Sequence, residues 1–186
     1  MVVEANLREG ESRMQKSLEA LAKEVMTIRT GRASPALVDR IPVEAYGNVM
    51  ALNQLATISV PEARSILIQP WDRSLLSAIE KAIQKSELGL NPSNDGQLIR
   101  VPIPPLTEER RREYVRLVKR YAESAHVAVR NIRRDELEKI KALEKEKKIS
   151  ADEARRGGEQ LQKLVAVYEA RVNELAARKE AEIMEV

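Results

Sequence analysis

The sequence predicts an α+β protein: an elongated three-helix bundle with a small α+β domain inserted between the first and second helices of the bundle. Three observations carry this. Three long stretches repeat apolar residues at steps of three and four, the spacing of one helix face. The longest, from Leu106 to Lys148, contains neither Pro nor Gly. Between the first two lies Ile41 to Ile103, a run of short β-rich pieces punctuated by Gly and Pro.

The first helix is expected over residues 3 to 29. Its apolar residues are Leu7, Met14, Leu18, Leu21, Val25 and Ile28, and the last five form a clean single face. Gly10 interrupts it at a cost of about 1 kcal/mol against Ala, so the first turns are expected to fray. Gly31 and Pro35 end this helix, because Gly tolerates a left-handed cap and Pro restricts the residue before it.

In the inserted stretch, strands are expected at Ile41 to Tyr46, Leu55 to Val60, Ser65 to Trp71 and Leu98 to Ile103, with breaks at Tyr46-Gly47-Asn48 and Val60-Pro61. One helix, about Ser74 to Ser86, buries Leu75, Ile79, Ala82 and Ile83. A turn at Asn94-Asp95-Gly96 leads into the last strand. Pro102, Pro104 and Pro105 then return the chain to the long helix.

Thr107-Glu108-Glu109 reads as the start of that helix, a capping hydroxyl followed by two carboxylates at the positive end of the dipole. Running to Lys148, it would span about 42 residues and roughly 63 Å. Its stripe is Val118, Ala122, Ala125, Val129, Ile132, Ile140 and Leu143, broken once at Glu136. Ser150-Ala151-Asp152-Glu153 has the form of a capping box. The third helix follows to about Met184 with Leu161, Val165, Tyr168, Val172 and Leu175 on one face; the pair Gly157-Gly158 leaves open whether its start is continuous or kinked.

The predicted domains are 1-30 with 106-186 for the bundle and 31-105 for the insert. Two strands of chain join them, and Gly31, Pro35, Pro102, Pro104 and Pro105 within those strands mark a hinge between two rigid bodies.

Composition narrows the function. There is no Phe, aromatics are 3%, and 33% of residues are charged, which suits an aliphatic helical bundle. Cys is absent, excluding a disulfide framework and thiolate metal sites. Gly-rich phosphate loops and paired His at metal spacing are also missing, so no enzyme, cofactor or metal is expected. The single His126 reads as an ordinary boundary residue, and the many Glu residues as solvated helix faces. The charged N-terminus and the lack of a long apolar run point to a soluble cytoplasmic protein with no membrane partner.

The net charge of +3 is unevenly placed: residues 105 to 148 hold 14 Lys and Arg against 9 Asp and Glu, while 31 to 104 hold 7 of each. On a wheel of about 100° per residue, Arg112, Arg116, Lys119, Arg120, Arg133 and Arg134 fall within roughly 80° of Arg130, beside the core stripe. Such a face can simply be solvated and paired with Glu113, Glu123 and Glu138. Arg, however, outnumbers Lys on it, and Arg130, Arg133 and Arg134 cluster; the planar guanidinium fork suits phosphate oxygens. Arg29 fits equally the negative end of the first helix's dipole. With few aromatics to stack bases, binding to the phosphates and shape of folded RNA is the natural mode.

Five segments carry a resemblance: Thr27-Ile28-Arg29-Thr30-Gly31-Arg32-Ala33-Ser34-Pro35, Leu88-Gly89-Leu90-Asn91-Pro92, Ile99-Arg100-Val101-Pro102, Leu106-Thr107-Glu108-Glu109-Arg110-Arg111 and Val127-Ala128-Val129-Arg130-Asn131-Ile132-Arg133-Arg134-Asp135. Together they resemble the bacterial ribosome recycling factor family over essentially the whole chain. That resemblance implies an L-shaped, two-domain translation factor of tRNA-like outline. It implies a monomer that binds the large ribosomal subunit after termination and, with elongation factor G and GTP hydrolysis, separates the subunits. The family's Arg positions match Arg29, Arg32, Arg130 and Arg133, beside which Arg134 completes the candidate rRNA-binding set. Two rival readings fit the residues: a helical scaffold dimerising as a coiled coil, which a monomer in sedimentation argues against, and a non-specific DNA binder, which would hold duplex DNA and ribosomes equally.

Overall fold

The computed structural model describes residues 2–185. They form two compact units: the chain up to Thr30 together with the chain from Glu108 onward, and Gly31–Thr107.

The first unit is three mutually packed helices, α1 (Val2–Met26), α3 (Glu108–Lys145) and α4 (Ala151–Met184), with α2 (Leu76–Lys85) lying in the other unit. Leu21, Val25 and Ile28 pack with Val118, Ala122, Ala125, Val172, Ala176 and Ile183. Further along, Met14 meets Val129, Ile132, Ile140, Leu161, Val165 and Tyr168. The expected stripes are therefore the core, except that Ala176 is buried where α4's neighbouring Leu175 is only partly so, and Leu143 is half-exposed. No helix among the described residues is long and apolar enough to cross a membrane.

Several expectations change. α3 starts one residue after Thr107, as its capping sequence implies, but stops at Lys145 after 38 residues, short of Lys148. Lys147 turns left-handed at φ 57, Lys148 N–H donates to the Leu143 carbonyl at 2.9 Å and Lys147 N–H to that of Glu144 at 2.9 Å, a Schellman end built without the usual glycine. Likewise α1 ends at Met26, where Thr27 and Ile28 bond the carbonyls three residues back.

Glu136 does not break the core stripe as a solvated residue; it is fully buried between Ile132 and Ile140. Gly10, far from fraying, is buried against it: a Cβ there would lie 3.0 Å from Glu136 Cγ. α4 is continuous through Gly157-Gly158, because Gly157 admits Val3 of α1 to 2.6 Å of where a Cβ would stand. Its start carries the capping box, with Ser150 Oγ accepting from Glu153 N–H at 3.2 Å and Glu153 Oε2 from Ser150 N–H at 2.8 Å.

The second unit holds a hairpin, β1 (Pro42–Ala45) and β2 (Asn48–Ala51), and an antiparallel sheet. Its four strands are β3 (Ala56–Glu62), β4 (Ser65–Pro70), β6 (Ile99–Pro102) and β5 (Ser93–Asn94), in that spatial order. Tyr46-Gly47 ends β1 as expected, both residues taking positive φ in a hairpin turn, but Asn48 already opens β2, a strand outside the expected set that pairs directly with β1. β3 runs through Pro61. The proline lacks an N–H, but it sits on an edge strand where the register shifts between Ser59 and Glu62. α2 (Leu76–Lys85) packs Leu76, Ile79 and Ile83 onto Val43, Ile66, Ile68, Ile99 and Val101.

Candidate functional site

The α3 backbone decides where the basic residues point. Val129, Ile132, Glu136 and Ile140 face the core, which leaves Arg130, Arg133 and Arg134 outside that stripe, all exposed. Arg112, Arg116, Lys119 and Arg120 are exposed further up the same helix.

Their ion pairs divide them. Arg130 Nη2 reaches Glu123 Oε1 at 2.8 Å, Arg110 pairs with Glu113 at 3.1 Å, and Arg112 with Glu108. Among the described residues, Arg116, Lys119, Arg120, Arg133 and Arg134 enter no salt bridge. The solvated-face reading thus holds for Arg130 through Glu123, whereas Glu138 neutralises none of the three clustered arginines. Exposed pairs of this kind contribute about 0–1 kcal/mol and exchange readily for a phosphate.

The remaining candidates are placed apart. Arg29 is exposed and lies beyond the end of α1, next to Ile28, which packs in the cluster of Val118. From Val118 to Arg133 is roughly 22 Å along α3 at about 1.5 Å per residue. Arg32 is exposed and belongs to the second unit. His126 is half-buried and joins α3 to α4, its Nε2 lying 2.8 Å from Asn173 Oδ1.

The hinge candidates also separate. Pro102 is the last residue of β6, in register with Ser65, and Pro35 opens a 3-10 turn over Pro35–Leu37; both are part of the second unit's ordered body. Gly31, Pro104 and Pro105 lie between elements. Gly31 has φ +75, and a Cβ on it would lie 3.4 Å from both the Leu106 backbone N and its Cγ, so glycine lets the two connecting strands run side by side. Both are tied to one turn: Ala33 N–H donates to the Ala63 carbonyl at 2.7 Å and Ile103 N–H to that of Arg64 at 2.8 Å.

Beneath the arginine cluster is a network that the sequence did not announce. Arg13 of α1 bonds Asp135 Oδ2 at 2.8 Å and Glu136 Oε1 at 3.2 Å; Lys139 Nζ bonds Glu136 Oε1 at 3.0 Å and Glu9 Oε1 at 2.9 Å. The Arg13 hydrogen bond holds the Asp135 carboxyl below its ordinary range, and Lys139 does the same for Glu9. A Glu at a stripe position, opposite a Gly with an Arg one turn later, was the available signal.

Comparison with known proteins agrees with this architecture. The family model for ribosome recycling factor matches residues 21–184. The chain belongs to the ribosome recycling factor family. A ribosome-recycling factor from Symbiobacterium thermophilum is 53% identical over 180 residues, covering 97% of each chain, and one from Halalkalibacterium halodurans is 56% identical over the same share. The solution structure of a ribosome recycling factor superposes with TM-score 0.74 at 49% identity, covering 100% of this chain and 99% of the other. A second set of coordinates gives models for the T. thermophilus ribosome recycling factor and the E. coli elongation factor G bound to the E. coli post-termination complex; its match has TM-score 0.63 at 48% identity and covers both chains fully. The helical bundle with a β-rich insert is thus the architecture of recycling factors, and the exposed α3 arginines lie on its bundle.

Proposed function

We propose that this chain is a non-enzymatic translation factor of the cytoplasm that recycles ribosomes after termination. In this reading it binds the large ribosomal subunit as a monomer and acts with elongation factor G. The single observation that supports phosphate binding is the Arg133-Arg134 pair: two guanidinium groups, exposed, without ion pairs among the described residues, on a helix whose core stripe is locked into the bundle. Arg130 joins them by exchanging Glu123 for phosphate, and Arg29 and Arg32 supply further contacts. Rigid presentation of forked donors gives shape-dependent binding to folded RNA, with contacts to phosphate rather than to base edges.

The second part of the reading is mechanical. The bundle, 1-30 with 106-186, anchors to RNA, while the neutral insert, 31-105, swings about Gly31, Pro104 and Pro105 when the GTPase hydrolyses GTP. The E. coli elongation factor G, which accompanies the T. thermophilus recycling factor on the E. coli post-termination complex, fits this role.

Charge reversal at Arg133 tests the anchor. Because Arg133 makes no ion pair among the described residues, Arg133→Glu should leave helicity and thermal melting nearly unchanged and abolish binding to purified large subunits; intact binding would count against the assignment. For the lever, deleting Pro104-Pro105 should spare affinity but lose subunit splitting with elongation factor G, and unimpaired splitting would remove the idea.

A further inference from the structure

The arginine cluster has a problem written into its sequence. Asp135 and Glu136 follow Arg133-Arg134 directly, and carboxylates in that place repel the phosphates that the arginines would bind. Left to itself on α3, Asp135 would be drawn to Arg134, whose charge already acts on its carboxyl.

The fold supplies a competitor from another helix. Arg13 of α1 reaches across with both terminal nitrogens, one to Asp135 Oδ2 at 2.8 Å and one to Glu136 Oε1 at 3.2 Å. We propose that Arg13 is a positioning residue of the RNA-binding face: it draws the two carboxylates toward α1 and so keeps Arg133 and Arg134 free for phosphate. This rests on the ribosomal-RNA reading of the α3 arginines given above.

Three features make Arg13 the deciding group. The pair sits at the rim of the bundle, with Arg13 38% and Asp135 40% exposed, close enough to solvent to influence an approaching phosphate. Arg13 cannot drift, because the Glu136 it also holds is fully buried and wedged against Gly10, where even a Cβ would come to 3.0 Å of the Glu136 Cγ. Lys139 cannot take over, since its Nζ is already shared between Glu9 at 2.9 Å and Glu136 at 3.0 Å. The cluster is two cations against three carboxylates; without Arg13 the excess negative charge beside Arg134 doubles.

The effect is one of charge, so it can be separated from bracing by a double-mutant cycle on binding to purified large ribosomal subunits. At low ionic strength Arg13→Gln should weaken binding about three- to fivefold, the scale of one partly screened charge interaction, and Arg13→Lys should restore most of the loss. In an Asp135→Asn background, the same Arg13→Gln change should cost less than twofold, because the carboxylate it controls is gone. Equal cost in both backgrounds overturns the proposal, since Arg13 would then touch phosphate itself or merely brace α1. Circular dichroism shows whether Arg13→Gln is folded at the assay temperature. Should it not be, Asp135→Asn alone decides, for it leaves the Arg13–Glu136 pair intact: binding at least as tight as the parent supports the proposal, and weaker binding refutes it. Arg133→Glu, run alongside, separates the two levels. If it binds normally, the face itself is wrong; if it fails to bind while Arg13→Gln binds normally, only the role of Arg13 falls.

Discussion

Gly157 and Gly158 are adjacent in the same helix, yet the structure gives alanine opposite consequences at the two positions. Each replacement removes a glycine from a helix interior and should gain about 1 kcal/mol from propensity. At Gly158 the new Cβ meets only Leu137 Cδ1 at 3.8 Å, an ordinary contact, so the gain stands. At Gly157 it would lie 2.6 Å from Val3 Cγ1. Carbon atoms prefer about 3.5–4.0 Å, so α1 and α4 must part locally by about 1 Å. Val is stiff at χ1 and cannot swing the methyl aside cheaply; overpacking of this kind costs about 1–3 kcal/mol. Gly158→Ala should therefore melt above the parent and Gly157→Ala below it, about 2 kcal/mol apart. For a chain of this size that is about 4–8 °C, read by far-ultraviolet circular dichroism, to which the bundle helices contribute most. Adding Val3→Ala should recover the loss at Gly157 while doing nothing for Gly158→Ala. Equal melting of the two single variants would refute the close approach of α1 to α4.

Further outcomes follow from the helix ends and the ion pairs. Lys147→Gly should stabilise by about 0.5–1 kcal/mol in chemical denaturation, since it relieves a left-handed residue that carries a side chain. Ser150→Ala should cost about 1 kcal/mol by removing the hydroxyl that accepts from Glu153 N–H. Acid should weaken the bundle in a defined window. Asp135, Glu9 and Asp152 titrate below their ordinary values of 3.8 and 4.5 through Arg13, Lys139 and Arg155 respectively, and so the unfolded chain binds protons first as pH falls. Their contribution is complete above about pH 5 and is lost progressively below about 4.5. A melting temperature that rose between pH 5 and 4 would contradict this sign.

Much of this was open to reading because it depends on period and local chemistry. Apolar steps of three and four located all three bundle helices, and the Ser150 to Glu153 pattern placed the start of α4, since both effects act within one or two turns. The exposed arginines of α3 could be placed for the same reason: once the core stripe is known, the remaining azimuth belongs to solvent.

Where the reading failed, the deciding partner lay far away in the chain. Glu136 reads as a charge interrupting a stripe until Arg13, on another helix, neutralises it; Gly10 reads as a weak point until Glu136 occupies the space beside it. Gly157 leaves the start of α4 undecided until Val3 arrives. Periodicity carries the orientation of each helix, because a residue's face depends only on its own position in the turn. Which charges may be buried, and which glycines are needed, depends on atoms brought together by folding from segments more than a hundred residues apart, and no local pattern encodes that proximity.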